Sequence, residues 1–98
     1  MSKIGFTYIL ASKKHGTLYI GVTSVLMKRI WQHKEGAAES FTKEYEVKTL
    51  VYFEQFAGIK DAIAREKQLK QWRWDWKVAL IEESNPEWRD LYLDINGP

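Results

Sequence analysis

The sequence predicts an α+β fold, a three-stranded antiparallel sheet flanked by helices in the order β-β-α-β-α-α, forming one domain over residues 1–98. Three observations carry this reading. Two β-branched and aromatic runs, FTYIL (Phe6–Leu10) and LYIGV (Leu18–Val22), flank the turn-rich segment ASKKHGT, which is the pattern of a hairpin. A third such run, KTLVYF (Lys48–Phe53), follows only after a stretch with helical spacing. From Ile59 to Trp72 no glycine or proline interrupts a run of helix-compatible residues, so a long helix follows the last strand.

Between the second and third strands, Ser24 stands where an N-cap belongs. Leu26, Met27, Ile30 and Trp31 then recur at helical spacing, predicting a helix over Val25–Glu35 with these four on its apolar face and Gly36 as its stop. Gly36–Glu46 is small and polar and reads as a loop. After the long helix, Asp75 stands as the cap of another over Trp76–Glu83, which Asn85-Pro86 ends; Glu87–Leu93 adds a short turn. No repeat or low-complexity tract interrupts the chain.

Composition narrows the chemistry. At 45% hydrophobic and 14% aromatic residues, the chain supports one modest core. The absence of cysteine excludes disulfides, a thiolate nucleophile and a cysteine-ligated zinc, and two histidines, His15 and His33, exclude a histidine-rich cage. Any metal must therefore rest on carboxylates and water. The opening residues lack the basic and apolar regions of a leader, and no apolar run approaches the roughly 20 residues that span a bilayer. The expectation is a soluble, cytoplasmic protein without a membrane partner. Net charge is only +2, but it is unevenly spread: residues 1–36 hold six basic residues against one acidic, residues 60–77 six against three, and residues 78–98 one against five. Such asymmetry fits an anionic partner on one face, and equally an ordinary solvated surface.

Several residues sit oddly for a purely structural role. On a helical wheel Glu66 falls at the middle of the arc formed by Ile59, Ala62, Ile63 and Leu69. A carboxylate there must be compensated by a cation or open into a cleft; the bland account is an i,i+4 pair with Lys70. Arg29 and His33 lie one turn apart, bordering the apolar face of their helix as a rim, where a guanidinium holds phosphate and an imidazole moves protons. Lys28 faces away as electrostatic background. Tyr8 and Tyr19 share a sheet face if the hairpin pairs in suitable register, and Gly21 interrupts its strand where another group comes close.

Tyr8, then Tyr19-Ile20-Gly21, then Arg29 and His33 on the next helix, then Glu66 on the later one, resemble in order and spacing the GIY-YIG nuclease superfamily, in particular its small standalone bacterial members. The resemblance runs from Phe6 to about Trp88. It implies an endonuclease hydrolysing DNA by a one-metal mechanism, with RNA left open as substrate. Glu66 would bind one Mg2+ or Mn2+, Arg29 would steady the scissile phosphate, Tyr19 would act as general base on the water and Tyr8 would orient it. His33 matches a position where relatives use His or Tyr. Gly21, Lys28, Lys67, Lys70 and Arg73 would meet the nucleic acid, and a second copy of the chain or a protein partner would supply specificity.

The chain also departs from the family pattern. Phe6-Thr7 replaces the glycine and isoleucine of the first signature, and Val22 stands where DNA-repair relatives carry lysine. Asn85 is the only nearby candidate for a late asparagine, and it is left out of the catalytic set. These departures sustain an alternative: a non-catalytic nucleic-acid-binding module, in which Lys60, Arg65, Lys67, Lys70, Arg73 and Lys77 track a backbone while Trp72, Trp74 and Trp76 stack bases. A third reading makes the QWRWDW segment a protein-docking surface. Its bland counterpart has the tryptophans straddling a helix junction and packing on two sides.

Overall fold

A computed structural model describes residues 4–36 and 40–95. Its elements are β1 (Gly5–Ala11), β2 (Leu18–Thr23), α1 (Leu26–Lys34), α2 (Ser40–Glu44), β3 (Thr49–Phe56), α3 (Ile59–Gln71), α4 (Trp74–Ser84) and α5 (Tyr92–Ile95). The three strands form one sheet in the order β2-β1-β3, both pairings antiparallel. This is the α+β architecture that the sequence predicts.

β1 is central and buried from Thr7 to Ala11, which explains why its sequence is nearly continuous in large residues rather than alternating. Its side chains feed two cores. On one face Ile9 and Ala11 join Ile20, Val51, Leu69, Ile81 and Trp88 under α3 and α4. On the other, Tyr8 and Leu10 join Leu26, Ile30, Val47 and Leu50 under α1. The β1/β3 register slips between Ile9, opposite Tyr52, and Leu10, opposite Leu50. The extra residue, Val51, lets both it and Tyr52 pack toward the first core while Leu50 and Phe53 turn to the second.

Helix α3 lies close on β1 because Gly5 has no side chain. A Cβ there would stand 2.8 Å from the Ile59 Cα. The Thr7 hydroxyl then donates to the Ala62 carbonyl at 2.7 Å. On the β3 side, Arg65 donates to Glu54 from Nε and Nη2 (the latter at 3.0 Å) and its guanidinium lies over the Trp72 ring.

Four local expectations are corrected. Ser24 does not cap α1: the cap position is Val25, without a side-chain cap bond, and the Thr23 hydroxyl accepts from the Val25 amide instead. The expected apolar face of α1 is displaced, since Met27 and Trp31 are exposed and the buried stripe is Leu26, Ile30 and His33. The expected loop Gly36–Glu46 contains α2, while its residues 37–39 lie outside the described part. Helix α4 also starts earlier than expected, at Trp74 with Arg73 at the cap, so Asp75 sits in the first turn facing the positive end of the helix dipole.

The segment that follows α4 is anchored rather than appended. Asn85 is buried; its amide donates to the carbonyls of Val51 and Arg89, and its side-chain oxygen accepts from the Arg89 amide. Asp90 pairs with Lys34 of α1 and accepts from the backbone amides of Leu50 and Tyr92. Asn85 thus has a structural task. Three residues before Asn85, Glu82 accepts from the Trp88 indole at 2.8 Å and pairs with His15 of the hairpin turn at 2.8 Å. The indole bond first, and then His15, hold the Glu82 carboxyl below its ordinary range.

Asn85→Ala should lower unfolding stability by about 2–3 kcal/mol in urea titrations, since it leaves buried backbone groups without partners. A carboxylate with a depressed folded-state pKa stabilises above its unfolded pKa and loses that contribution as pH falls through the folded value. Glu82→Gln should therefore flatten the acid limb of the melting temperature against pH and leave the neutral-to-alkaline limb unchanged.

Candidate active site

Register decides which tyrosines meet. Tyr8 pairs with Gly21 and Leu10 with Tyr19, so Tyr8, Tyr19 and the bare backbone at Gly21 share one face. A Cβ at Gly21 would lie 2.4 Å from Cζ and Oη of Tyr8, so the ring can occupy this position only because residue 21 is glycine. The Tyr8 and Tyr19 ring centroids are 6.5 Å apart.

His33 reaches the same place from α1. It is 0% exposed, which corrects its expected position on a rim. The reason is the displaced inward stripe of α1, on which His33 follows Leu26 and Ile30 at spacings of four and three. Its Nε2 lies 2.9 Å from Tyr8 Oη, its Nδ1 3.1 Å from Thr42 Oγ1, and its ring 5.3 Å from that of Tyr19. Thr42 and Phe41 come from α2, the helix that the sequence concealed. Phe41 continues the row of rings, with its centroid 6.2 Å from Tyr19 and 5.0 Å from Tyr45. The i,i+4 spacing of Phe41 and Tyr45 was the available signal for that helix.

Arg29 sits one turn before His33, half-buried at the border of the same helix, with Nη1 donating to Gln32 Oε1 at 3.2 Å. Glu66 lies on α3, on the opposite layer. It is sheltered, with 16% of its side chain exposed, between the buried Ala62 and Leu69, and Lys70 meets it at 2.9 Å. The i,i+4 pair that served as the bland account of Glu66 is therefore present.

The two layers meet at the free edge of β2. A groove of about 370 Å³ is lined there by Leu18, Tyr19 and Ile20 of β2, Phe41 of α2, Lys70 of α3 and Lys77 of α4. Tyr19 and Phe41 come from the histidine side and the two lysines from the glutamate side. The geometry thus brings Tyr8, Tyr19 and His33 into one cluster, sets Arg29 one helical turn away, and connects Glu66 to the groove through Lys70.

Other expected contacts fare differently. Lys28 and Lys67 are exposed, and Val22 is half-buried opposite Thr7. Arg73 pairs with Asp75 and lies over Trp76, while Arg65 is committed to Glu54 and Trp72. Trp72 and Trp76 pack edge to face at 6.1 Å, and Trp74 donates to the Gly16 carbonyl. The tryptophans straddle the α3–α4 junction, each with an internal partner, while Trp74 and Trp76 remain 49% and 50% exposed. Tyr52, on the far face, is a neutral donor: burial, and then its acceptor Glu54, push its phenol well above the ordinary value.

A small three-stranded sheet with paired tyrosines at a glycine-bared edge, backed by a helix bearing Arg29 and His33, defines a class, and the family model of the GIY-YIG catalytic domain matches residues 4–79. The chain belongs to the GIY-YIG family. It is similar to the UPF0213 protein CPE1444 of Clostridium perfringens, 32% identical over 93 residues covering 95% of this chain and 99% of that protein. The UPF0213 protein SSP2268 of Staphylococcus saprophyticus is 35% identical over 78 residues, covering 80% and 94%. That of Haloquadratum walsbyi, HQ_3675A, is 29% identical over 98 residues, the full length of both chains. No solved structure matches the chain. Among the described residues, no helix is long and apolar enough to cross a membrane.

Gly21→Ala should expel the Tyr8 ring from its position and break its bond to His33. The expected cost is about 1–3 kcal/mol in thermal or chemical unfolding, accompanied by a changed His33 environment in histidine-resolved NMR spectra.

Proposed function

We propose that this protein is a metal-dependent endonuclease that hydrolyses DNA phosphodiester bonds at the free edge of β2, using Tyr8, Tyr19, Arg29, His33 and Glu66. The observation that carries this reading is the Tyr8–His33–Thr42 chain of hydrogen bonds beside a groove that draws residues from both layers of the fold. Membership of the GIY-YIG family supports it.

Among the described residues no three His, Cys, Asp or Glu side chains gather as a metal cage, so Glu66 is a lone carboxylate. That donor set fits Mg2+ or Mn2+, hard ions that keep most of their waters and take one or two protein carboxylates, and does not fit a structural zinc. When bound there, such an ion would supply positive charge to a phosphoryl oxygen and the departing 3′ oxygen.

The rest of the chemistry belongs to the chain. Arg29 offsets charge growing on the scissile phosphate with its planar fork. The attacking water must lose a proton, and a phenol with an ordinary pKa of about 10 is a poor base at neutral pH. The proton moves at the phenol that reaches the groove: Tyr19 Oη accepts the proton of the water while its own phenolic proton passes to solvent. The Tyr8–His33 bond, buried at 1% and 0% exposure, positions the Tyr19 ring beside it. The hydroxide attacks phosphorus, and the 3′ oxygen leaves and is protonated from solvent. Thr42, at 3.1 Å from Nδ1, fixes the orientation of the imidazole against Tyr8 as the third group of the chain. In this scheme Tyr19 is the base, as the family resemblance implies, and the buried Tyr8 holds its place through His33.

The test is cleavage of supercoiled plasmid, nicked and branched DNA, and a matched RNA, with and without Mg2+. Wild type should cut only with the metal, and Glu66→Ala and Arg29→Ala should each be slower by at least about 100-fold. Equal cutting by all three proteins would mark a contaminant and overturn the assignment. Salt-sensitive binding without cleavage under any metal would identify a binding module on the same fold, the reading that the Glu66–Lys70 pair favours.

A further inference from the structure

The sheltered ion pairs among the described residues differ in how they are anchored. Arg65 and Glu54 are nearly equally sheltered, at 22% and 23% exposure, and are joined by several hydrogen bonds with a ring stacked behind. Lys34 bonds the Lys48 carbonyl as well as Asp90. Such anchoring suits a permanent role. Glu66 and Lys70 differ: the carboxylate is 16% exposed and held between core residues, whereas the lysine that neutralises it is 53% exposed on a flexible stem. A pair with one solvated partner is weak, so the ammonium leaves readily. The same Lys70 lines the groove along β2 with Lys77, and among the described residues these are the charged members of its lining. One side chain therefore serves a buried carboxylate and a groove whose charge is suited to a polyanion.

We infer that Lys70 is an exchangeable counter-ion: it neutralises Glu66 in the free protein, and moves to a backbone phosphate lying in the Lys70–Lys77 groove when a divalent cation takes its place on the carboxylate. This rests on the nuclease reading above and adds a regulation to it. Lys70 keeps the carboxylate occupied until nucleic acid offers the ammonium a second anion. Cation and nucleic acid then favour each other's binding, by the same factor in both directions.

Titration calorimetry of Mn2+ into wild type, Lys70→Met and Glu66→Gln tests the exchange without any turnover. Lys70→Met keeps the aliphatic stem and removes the competing charge, so it should bind Mn2+ alone about three- to fivefold more tightly than wild type. Binding of a short DNA duplex across a series of salt concentrations gives the second readout. With Ca2+ present, Lys70→Met should reduce the salt slope by about one; without divalent ions the two slopes should coincide, because Lys70 is then engaged by Glu66. Unchanged Mn2+ affinity in Lys70→Met, or a slope difference independent of Ca2+, would overturn the exchange. Mn2+ binding that survives in Glu66→Gln would overturn the metal assignment beneath it, so the two failures are separable.

Discussion

The arrangement of the site depends on one missing side chain. Because residue 21 is glycine, the Tyr8 ring lies directly against the backbone of β2, and its hydroxyl meets His33 at 2.9 Å. A single methyl group at that position would occupy the space the ring fills. From this contact the other placements follow: the register puts Tyr19 two residues away on the same face, α1 must lie with its Leu26–Ile30–His33 stripe inward, and α2 closes the far side of the imidazole with Thr42. A strand glycine usually weakens a sheet. Here it makes room for a buried polar cluster in which every side-chain donor and acceptor among the described residues has a partner.

The cluster and the carboxylate lie on opposite sides of a three-stranded sheet and communicate only around its edge. β2 is the outer strand, so residues from both layers reach the same groove without passing through the core. A wider sheet with β2 inside would bury Tyr19 and separate the lysines of α3 and α4 from the aromatic rings of β2 and α2. Small size is thus a condition for the site, since the short path around one strand substitutes for an interdomain cleft.

The strands and the long helix were legible because their signals are local: β-branched runs bounded by turn residues, and a segment free of helix breakers. Tyr8, Tyr19 and Gly21 could be singled out from strand alternation, although their meeting depends on a register that the sequence leaves open. His33 was found but misplaced. The wheel drawn through Met27 and Trp31 is as apolar as the true one, and only the tertiary contact with Tyr8 and Thr42 draws a histidine inward in place of a tryptophan. Thr42 was missed because a five-residue helix carries too few residues to show a period, and its hydroxyl acquires meaning only through His33. Glu66 was conspicuous on the wheel for a sound reason, its burial between Ala62 and Leu69, but the two accounts of it were never exclusive. The lysine pair is present, and it is Lys70 rather than Glu66 that lines the groove.

The clasp built from Asn85 and Asp90 has a bearing on how much of the chain folds as one unit. The family match ends at residue 79, yet Ile81 and Trp88 are core residues, Asn85 secures β3, and Asp90 reaches Lys34 on the helix that carries His33. A fragment trimmed to the matched boundary would retain every signature residue and lose the hasp that fastens α1 to the sheet. The recognisable motif and the cooperative unit are therefore different objects. The acidic tail, which looks dispensable by charge, is part of the scaffold that keeps the imidazole under its tyrosine.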